Sequence, residues 1–189
     1  ATLTDKIQIA TVITHELSHQ WFGNLVTMAW WDDLWLNESF ANMMEYYCLD
    51  AIRPEWKVWQ EFFVSDCYYA LTRDTSPDIQ AVKQPVSHPS EIETLFDPAI
   101  VYAKGSHLMF MLMRLMGEQN FLKGLRDYFE KHQYQNTTGD DLWAALQTYA
   151  KFNVSDFMNQ WITRPGFPII EGGKQERFYL DGRSNQESW

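Results

Sequence analysis

Two histidines and a glutamate lie close together near the start of the chain, as His15, Glu16 and His19. Residues four apart share one face of a helix, so both imidazoles can reach a single metal ion. Glu16 follows His15 directly and can take a proton from a water molecule beside the ion. A zinc ion lowers the pKa of such a water and polarises a carbonyl group. The spacing therefore predicts metal-assisted hydrolysis.

A third ligand can come from Glu38, because zinc hydrolases combine two histidines with one carboxylate and leave a fourth position open for water. Eighteen residues separate His19 from Glu38, which lets the chain reverse and present a second helix. The alternative is a polar surface turn that binds nothing. Residues 7–22 argue against it, since they are apolar with helical period and unpaired imidazoles there are costly. We predict one zinc ion per chain, held by His15, His19 and Glu38.

The sequence around these residues is rich in tryptophan and highly specific. Residues 15–41 read HELSHQWFGNLVTMAWWDDLWLNESFA, residues 101–105 read VYAKG, and residues 165–168 read PGFP. These motifs resemble the aminopeptidase N family of zinc aminopeptidases, a gluzincin family that includes bacterial lysyl and alanyl aminopeptidases. The family shares the H-E-x-x-H motif, the eighteen-residue spacing and the segment W-W-x-D-L-W-L-N-E. The matches span almost the whole chain.

The resemblance implies a reaction and two further residue roles. Members of this family release single amino acids from the amino terminus of peptides, so the expected substrates are peptides with a free amino terminus. Tyr102, in the Y-x-K-G motif, would donate its hydroxyl to the oxygen that becomes negative in the transition state. Glu38 would also lie near the substrate's amino group. Spacing alone would instead favour Tyr102 as a core aromatic of a helix rich in methionine and leucine.

Two alternative functions stay open. A thermolysin-like zinc endopeptidase has the same ligand plan without needing a free amine, but it lacks the tryptophan-rich surroundings. The second alternative is a folded zinc-binding fragment with little catalysis. Only fourteen residues precede His15, too few to hold the G-x-M-E-N segment with which the family recognises the amine. We therefore expect a piece of a larger enzyme, without its amino-terminal and carboxy-terminal domains and weakly active alone.

The composition narrows the choice of partners. The 189 residues are 46% hydrophobic, enough to form one sizeable core. The net charge of −10 argues against a nucleic-acid surface. No apolar run approaches the roughly twenty residues that span a bilayer, so no membrane contact is expected. By analogy with bacterial members of the family, we expect a cytoplasmic enzyme.

The periodicity predicts a mainly α fold, which the resemblance identifies as the helical lobe of a thermolysin-like zinc metallopeptidase domain. Residues 1–165 would form this zinc-binding lobe, and residues 166–189 a short β tail that begins a following β-sandwich domain. Asp32 and Asp33 precede the helix of Glu38, where either could cap it or accept a hydrogen bond from a ligand histidine. The predicted helices cover residues 5–22, 34–51, 54–73, 98–116, 118–132, 140–152 and 154–162, with a capping box at 90–93 and strands at 167–171 and 177–180.

Overall fold

The computed structural model describes residues 2–172 and 178–181, which form eight α-helices and four short strands. This confirms the predicted mainly α fold. None of the helices in this part of the chain combines the length and the apolar character needed to cross a membrane. The helices are α1 (Leu3–Ser18), α2 (Trp35–Ile52), α3 (Val58–Glu61), α4 (Cys67–Asp74), α5 (Gly105–Met116), α6 (Glu118–His132), α7 (Gly139–Gln147) and α8 (Val154–Ile162). The strands are β1 (Val26–Met28), β2 (Gln135–Thr137), β3 (Ile169–Gly172) and β4 (Phe178–Asp181).

Helix α1 carries His15 in its last turn, and His19 directly follows its last residue. Thr2 caps its first turn, where the side chain accepts a hydrogen bond from a backbone N–H group. The α-helix ends at Ser18, four residues before the predicted end, yet His19 keeps helical φ and ψ angles of −61° and −17°. A tight turn follows, in which Gly23 adopts a φ of +131° that favours glycine. Because His19 continues the helical path, its imidazole lies on the same face as that of His15, which stands in the last turn of α1.

Helix α2 forms the centre of the core and carries Glu38 in its first turn. Its residues Trp35, Phe40 and Met43 are at most 1% exposed. Trp35 stacks on Trp143 of α7, with ring centroids 5.1 Å apart. Helix α1 packs along α2, so the helix with the histidines and the helix with the carboxylate lie side by side. A well-buried helix therefore positions Glu38.

Asp33 joins the start of α2 to distant parts of the chain. It is buried in the 3₁₀ turn Trp31–Asp33, and it accepts hydrogen bonds from Trp35 Nε1 at 2.8 Å and from the Gly139 N–H at 3.1 Å. Lys83 Nζ lies 2.9 Å from the same carboxylate. The role of Asp33 is therefore to connect α2 with the start of α7 and with the loop that follows α4.

Two helical stretches contain wider, π-helical segments. The stretch predicted as one helix from residue 98 to 116 forms a π-helical segment over Pro98–Lys104 and then α5. The stretch predicted as one helix from residue 54 to 73 begins with a 3₁₀ turn and then forms α3, a π-helical segment over Phe62–Asp66, and α4. Such segments are rare and often occur at functional sites. Each adds a residue to a helical turn and so changes which side chains share a face.

A short parallel sheet, which the sequence did not predict, joins β1, which follows α1, to β2, which follows α6. Strand β1 pairs with β2, with Val26 opposite Gln135 and Met28 opposite Thr137. The Thr137 and Tyr128 hydroxyl oxygens lie 2.6 Å apart, which joins β2 to α6. The sheet ties the turn after His19 to the second half of the domain.

Several other boundaries differ from the prediction. The capping box predicted at 90–93 is wrong, because His88 and Glu91 cap the 3₁₀ segment Pro89–Leu95 instead, with Glu91 accepting from the His88 N–H at 3.3 Å. Helix α7 ends at Gln147 rather than residue 152. Strands β3 and β4 pair antiparallel near the two predicted strands, and residue 177 of the second lies outside the described residues. The assignment of residues 166–189 to a following domain stays a prediction.

One face of α1 is apolar and exposed. Ile9, Val12, Ile13 and Leu17 are between 53% and 61% exposed. The sequence predicted that the histidines lie within a largely apolar helix, but many of the apolar residues of this helix are exposed and the histidines are partly buried. The imidazoles are partly buried beside α2, whereas these four side chains are exposed to solvent.

Candidate active site

Three side chains from α1 and α2 meet at one place. The Nε2 atoms of His15 and His19 lie 3.2 Å apart, and the two rings meet edge-on. Glu38 Oε2 lies 3.4 Å from each of these nitrogens. One ligand atom from each residue lies within 4.8 Å of the other two. The structure thus brings together the three residues that the sequence predicted as metal ligands.

This donor set fits a zinc ion. Two imidazole nitrogens and one carboxylate oxygen are the protein ligands of many catalytic zinc sites. His19 Nδ1 lies 2.9 Å from the carbonyl oxygen of Phe22. A carbonyl oxygen only accepts, so His19 donates its Nδ1 proton there and directs the lone pair of Nε2 toward the cluster. The turn that follows α1 therefore fixes the ring in the form that binds metals.

Glu45 holds His15 in a similar way. Its Oε2 lies 2.9 Å from His15 Nδ1, and its side chain is largely buried. An ionised carboxylate that accepts the Nδ1 proton leaves the Nε2 lone pair for a metal. The prediction that Asp32 or Asp33 fills this role is wrong, because Glu45 and a backbone carbonyl engage the two Nδ1 atoms. Glu45 stands seven residues after Glu38, so the two side chains share one face of α2, but this spacing alone does not favour Glu45 over Asp33.

Burial and mutual attraction shift the pKa values of the cluster. Burial alone would lower the pKa of His15, but hydrogen bonds and attraction from Glu38 and Glu45 raise it to about 9. Burial alone would raise the pKa of Glu38, but His15 and His19 lower it to about 2. In Glu45, burial outweighs the bond to His15 and raises the pKa of the carboxyl group. Without a metal, the cluster therefore holds an imidazolium beside the Glu38 carboxylate at neutral pH.

Tyr102 belongs to the π-helical segment and lies beside His15. Its ring stacks on that of His15 with centroids 6.1 Å apart and 28° between the planes. Burial, followed by the negative charge of Glu38, raises the pKa of the Tyr102 hydroxyl, so this hydroxyl stays protonated at neutral pH.

Glu16 completes the set of predicted site residues. It follows His15 on α1 and is exposed. Its negative charge is the smallest of the named causes that raise the pKa of Tyr102, after burial and Glu38. Four of the five predicted residues, His15, His19, Glu38 and Tyr102, therefore gather between α1, α2 and the π-helical segment over Pro98–Lys104, and Glu16 is the neighbour of His15 on α1.

A comparison with protein families identifies the domain to which these helices belong. Residues 1–161 match the model of the peptidase family M1 domain. The chain belongs to peptidase family M1. The helices around the His–Glu cluster are accordingly part of an M1 peptidase domain, and the resemblance read from the sequence motifs is confirmed.

Individual relatives of this M1 chain are close in sequence. Aminopeptidase N from Lactococcus lactis subsp. cremoris is 56% identical over 170 residues, which cover 90% of this chain and 20% of that protein. Aminopeptidase N from Lactobacillus delbrueckii subsp. lactis is 48% identical, over 100% of this chain and 23% of that protein. Tricorn protease-interacting factor F2 from Thermoplasma volcanium is 40% identical, over 97% of this chain and 24% of that protein. The chain thus spans about a fifth to a quarter of the length of these curated relatives.

Proposed function

We propose that the whole protein is a zinc aminopeptidase and that this chain is the metal-binding helical lobe of its catalytic domain. Membership of family M1 and the two relatives named aminopeptidase N support the proposal. The observation that carries it is the cluster of three ligand atoms within 4.8 Å of one another, beside Tyr102. One zinc ion per chain is the proposed cofactor. The proposed reaction releases single amino acids from the amino terminus of peptides.

Each side chain has its own task in this reaction. Zinc held by His15, His19 and Glu38 would lower the pKa of a water molecule and polarise the scissile carbonyl. Glu16 would accept a proton from the attacking water at its carboxylate and then deliver that proton to the leaving amine. The Tyr102 hydroxyl would donate a hydrogen bond to the carbonyl oxygen as this oxygen gains negative charge. The raised pKa of Tyr102 supports this role, because it keeps the donor proton in place.

The proposed substrates are peptides with a free amino terminus. Glu38 stays ionised at neutral pH, since the histidines lower its pKa to about 2. A carboxylate of this kind would attract the substrate's ammonium group in addition to holding the metal. The thermolysin-like endopeptidase, which is the main alternative, needs no free amine. The names of the relatives favour the aminopeptidase.

A comparison of a free peptide with its N-acetylated form tests the proposal. The whole enzyme with zinc is expected to release the first residue of the free peptide and to leave the acetylated peptide intact. A chelator should stop the reaction, and added zinc should restore it. Cleavage of both peptides at internal bonds would contradict the proposal and favour the endopeptidase. Zinc binding without cleavage of either peptide would favour the non-catalytic alternative.

We further propose that other segments of the whole enzyme pack against this lobe. The exposed apolar face of α1, formed by Ile9, Val12, Ile13 and Leu17, supports this, because exposed apolar patches mark surfaces that contact other protein. The proposed amino-terminal and carboxy-terminal domains would supply such contacts, and residues 166–189 would begin the following β-sandwich domain. A cytoplasmic location and the lack of nucleic-acid and membrane partners stay predictions.

A further inference from the structure

We propose that a contact between Ser39 and Gly105 sets the position of Tyr102, so that Ser39 is a positioning residue for the reaction. The inference rests on the proposed function, because it takes the Tyr102 hydroxyl to touch the reacting oxygen. Ser39 follows Glu38 directly on α2, and Gly105 follows the π-helical segment that carries Tyr102. The contact therefore joins the two elements whose separation fixes the distance from the tyrosine to the carboxylate.

The hydroxyl of Ser39 forms the first part of this contact. Ser39 is fully buried, and its Oγ donates a hydrogen bond to the carbonyl oxygen of Val101 at 2.5 Å. This carbonyl belongs to the peptide unit that leads into Tyr102. If this hydrogen bond is lost, no water molecule can reach the buried carbonyl oxygen to replace the donor. Breaking the bond is therefore costly. The bond thus ties the backbone beside Tyr102 to the residue after Glu38.

Gly105 forms the second part by allowing close approach. A Cβ atom at this position would collide with Ser39 Oγ and would lie 2.8 Å from Ser39 Cβ. A larger residue would therefore push α2 away from the start of α5. The glycine of the Y-x-K-G motif is therefore required in this chain by its close packing against Ser39.

A second link lies one turn further along α2. Asn42 Nδ2 donates to Ser106 Oγ at 3.0 Å, and Ser106 Oγ donates to the carbonyl oxygen of Ala103 at 2.9 Å. The carbonyl groups on both sides of Tyr102 are therefore connected to α2, one directly and the other through Ser106. Only the first connection starts at the residue beside Glu38.

The π-helical geometry explains why these connections matter. A π-helical turn closes hydrogen bonds between residues five apart, whereas an α-helical turn uses four. If the segment relaxed to an α-helix, each residue of shift would rotate the side chains by about 100° around the axis. Tyr102 would then turn away from His15, on which its ring stacks. Ser39 holds a carbonyl that this relaxation would have to move.

A double-mutant cycle on the whole zinc-loaded enzyme tests the inference. Ser39→Ala is expected to lower kcat about tenfold, to change KM by less than about twofold and to leave the zinc content unchanged, because it misplaces a donor that acts mainly in the transition state. In a Tyr102→Phe background, the same substitution should lower kcat no further, because the hydroxyl that it positions is already gone.

The outcomes separate the inference from the proposed function. An equal loss of kcat from Ser39→Ala in both backgrounds would overturn the positioning role while leaving the role of Tyr102 intact. An unchanged kcat in Tyr102→Phe alone would overturn the role of Tyr102 and this inference with it. Thr137→Val is the matched control, because it removes a buried hydroxyl that pairs with Tyr128 elsewhere. Its effect on kcat should be the same in both backgrounds.

A second pair of substitutions covers the case in which Ser39→Ala does not fold. Gly105→Ala combined with Ser39→Gly makes room for the added Cβ atom but supplies no hydroxyl. This variant is expected to fold and to bind zinc, while its kcat falls as far as expected for Ser39→Ala. Full activity would show that packing alone positions Tyr102, and it would overturn the role of the Ser39 hydroxyl.

Discussion

The Glu45 carboxylate lies 2.9 Å from Nδ1 of His15 and stands two helical turns after Glu38 on α2. One helix therefore supplies both a candidate metal ligand and the acceptor that orients another. Such acceptors fix the tautomer and the direction of a metal-binding imidazole. Helix α2 would thus act on the metal at two points, directly through Glu38 and indirectly through His15.

We expect Glu45→Gln to weaken zinc binding about tenfold and Glu45→Ala up to about 100-fold. Glutamine keeps an acceptor oxygen but loses the charge, whereas alanine removes both. Competition with a chelator of known affinity measures the Kd. Glu118→Gln is the control, because Glu118 accepts a hydrogen bond from Tyr47 at 2.6 Å on the exposed surface. An unchanged Kd in both Glu45 variants would show that this carboxylate does not orient the ligand.

Zinc binding is expected to release protons near neutral pH. The attraction of Glu38 and Glu45 raises the pKa of His15 to about 9, so the metal-free ring is protonated, whereas a zinc ligand must be neutral. Protons therefore compete with zinc below about pH 9, and the apparent affinity should rise about tenfold per pH unit for each displaced proton. Calorimetric titration in buffers of different ionisation enthalpy counts the protons. Binding without proton release would contradict the raised pKa.

Glu16→Gln and Tyr102→Phe are expected to lower kcat while leaving the zinc content unchanged, since neither side chain is a proposed ligand. Loss of a general base typically costs about 10²–10⁴ in rate, and loss of a donor to the developing oxyanion about 10²–10³. Steady-state kinetics on a free peptide, with elemental analysis of each variant, measures both quantities. Tyr149→Phe removes an exposed hydroxyl that bonds to Asp127 and should have full activity. Variants of Glu16 or Tyr102 with normal kcat would exclude that residue from the reaction.

Lys104, the last residue of the π-helical segment, forms a buried ion pair with Asp74 at the end of α4. Their side chains are 7% and 2% exposed, and Lys104 Nζ lies 2.8 Å from Asp74 Oδ2. Lys104 also donates to the carbonyl oxygen of Gly166 at 2.9 Å. Lys104→Met would leave the Asp74 carboxylate buried without its partner. We expect this to lower the free energy of unfolding by about 3–5 kcal/mol, measured by urea denaturation.

The control for this substitution is Arg73→Met. Arg73 lies 3.5 Å from Asp97, but its side chain is 50% exposed. Exposed ion pairs contribute about 1 kcal/mol or less, so little stability should be lost. Equal losses in the two variants would show that burial does not distinguish these pairs.

The sequence predicted the local parts of the site well. The spacing of His15 and His19 needs only a helix, and the gap before Glu38 is long enough for a second one. The structure supplies both helices and brings the three side chains together. The motifs around them predicted the family, which the comparison confirms.

Features that depend on contacts between elements could not be predicted in this way. To choose Glu45 over Asp33 as the partner of His15, one must know how α1 is aligned along α2. The sequence pattern of either helix alone does not give this alignment. The π-helical segment over Pro98–Lys104 is only seven residues long. Over so short a stretch the spacing of apolar residues does not distinguish a π-helix from an α-helix, so periodicity did not reveal it. Strands β1 and β2 are three residues long, too short to show a period of two.

The number of zinc ions per chain, in this protein and in its His19→Ala variant, tests the central claim most directly. Elemental mass spectrometry after removal of unbound metal measures it. A content near one zinc in the first and near zero in the second is expected, because the variant loses one of three ligands. Equal zinc in the two proteins, or none in either after zinc is added, would contradict a metal site built from His15, His19 and Glu38.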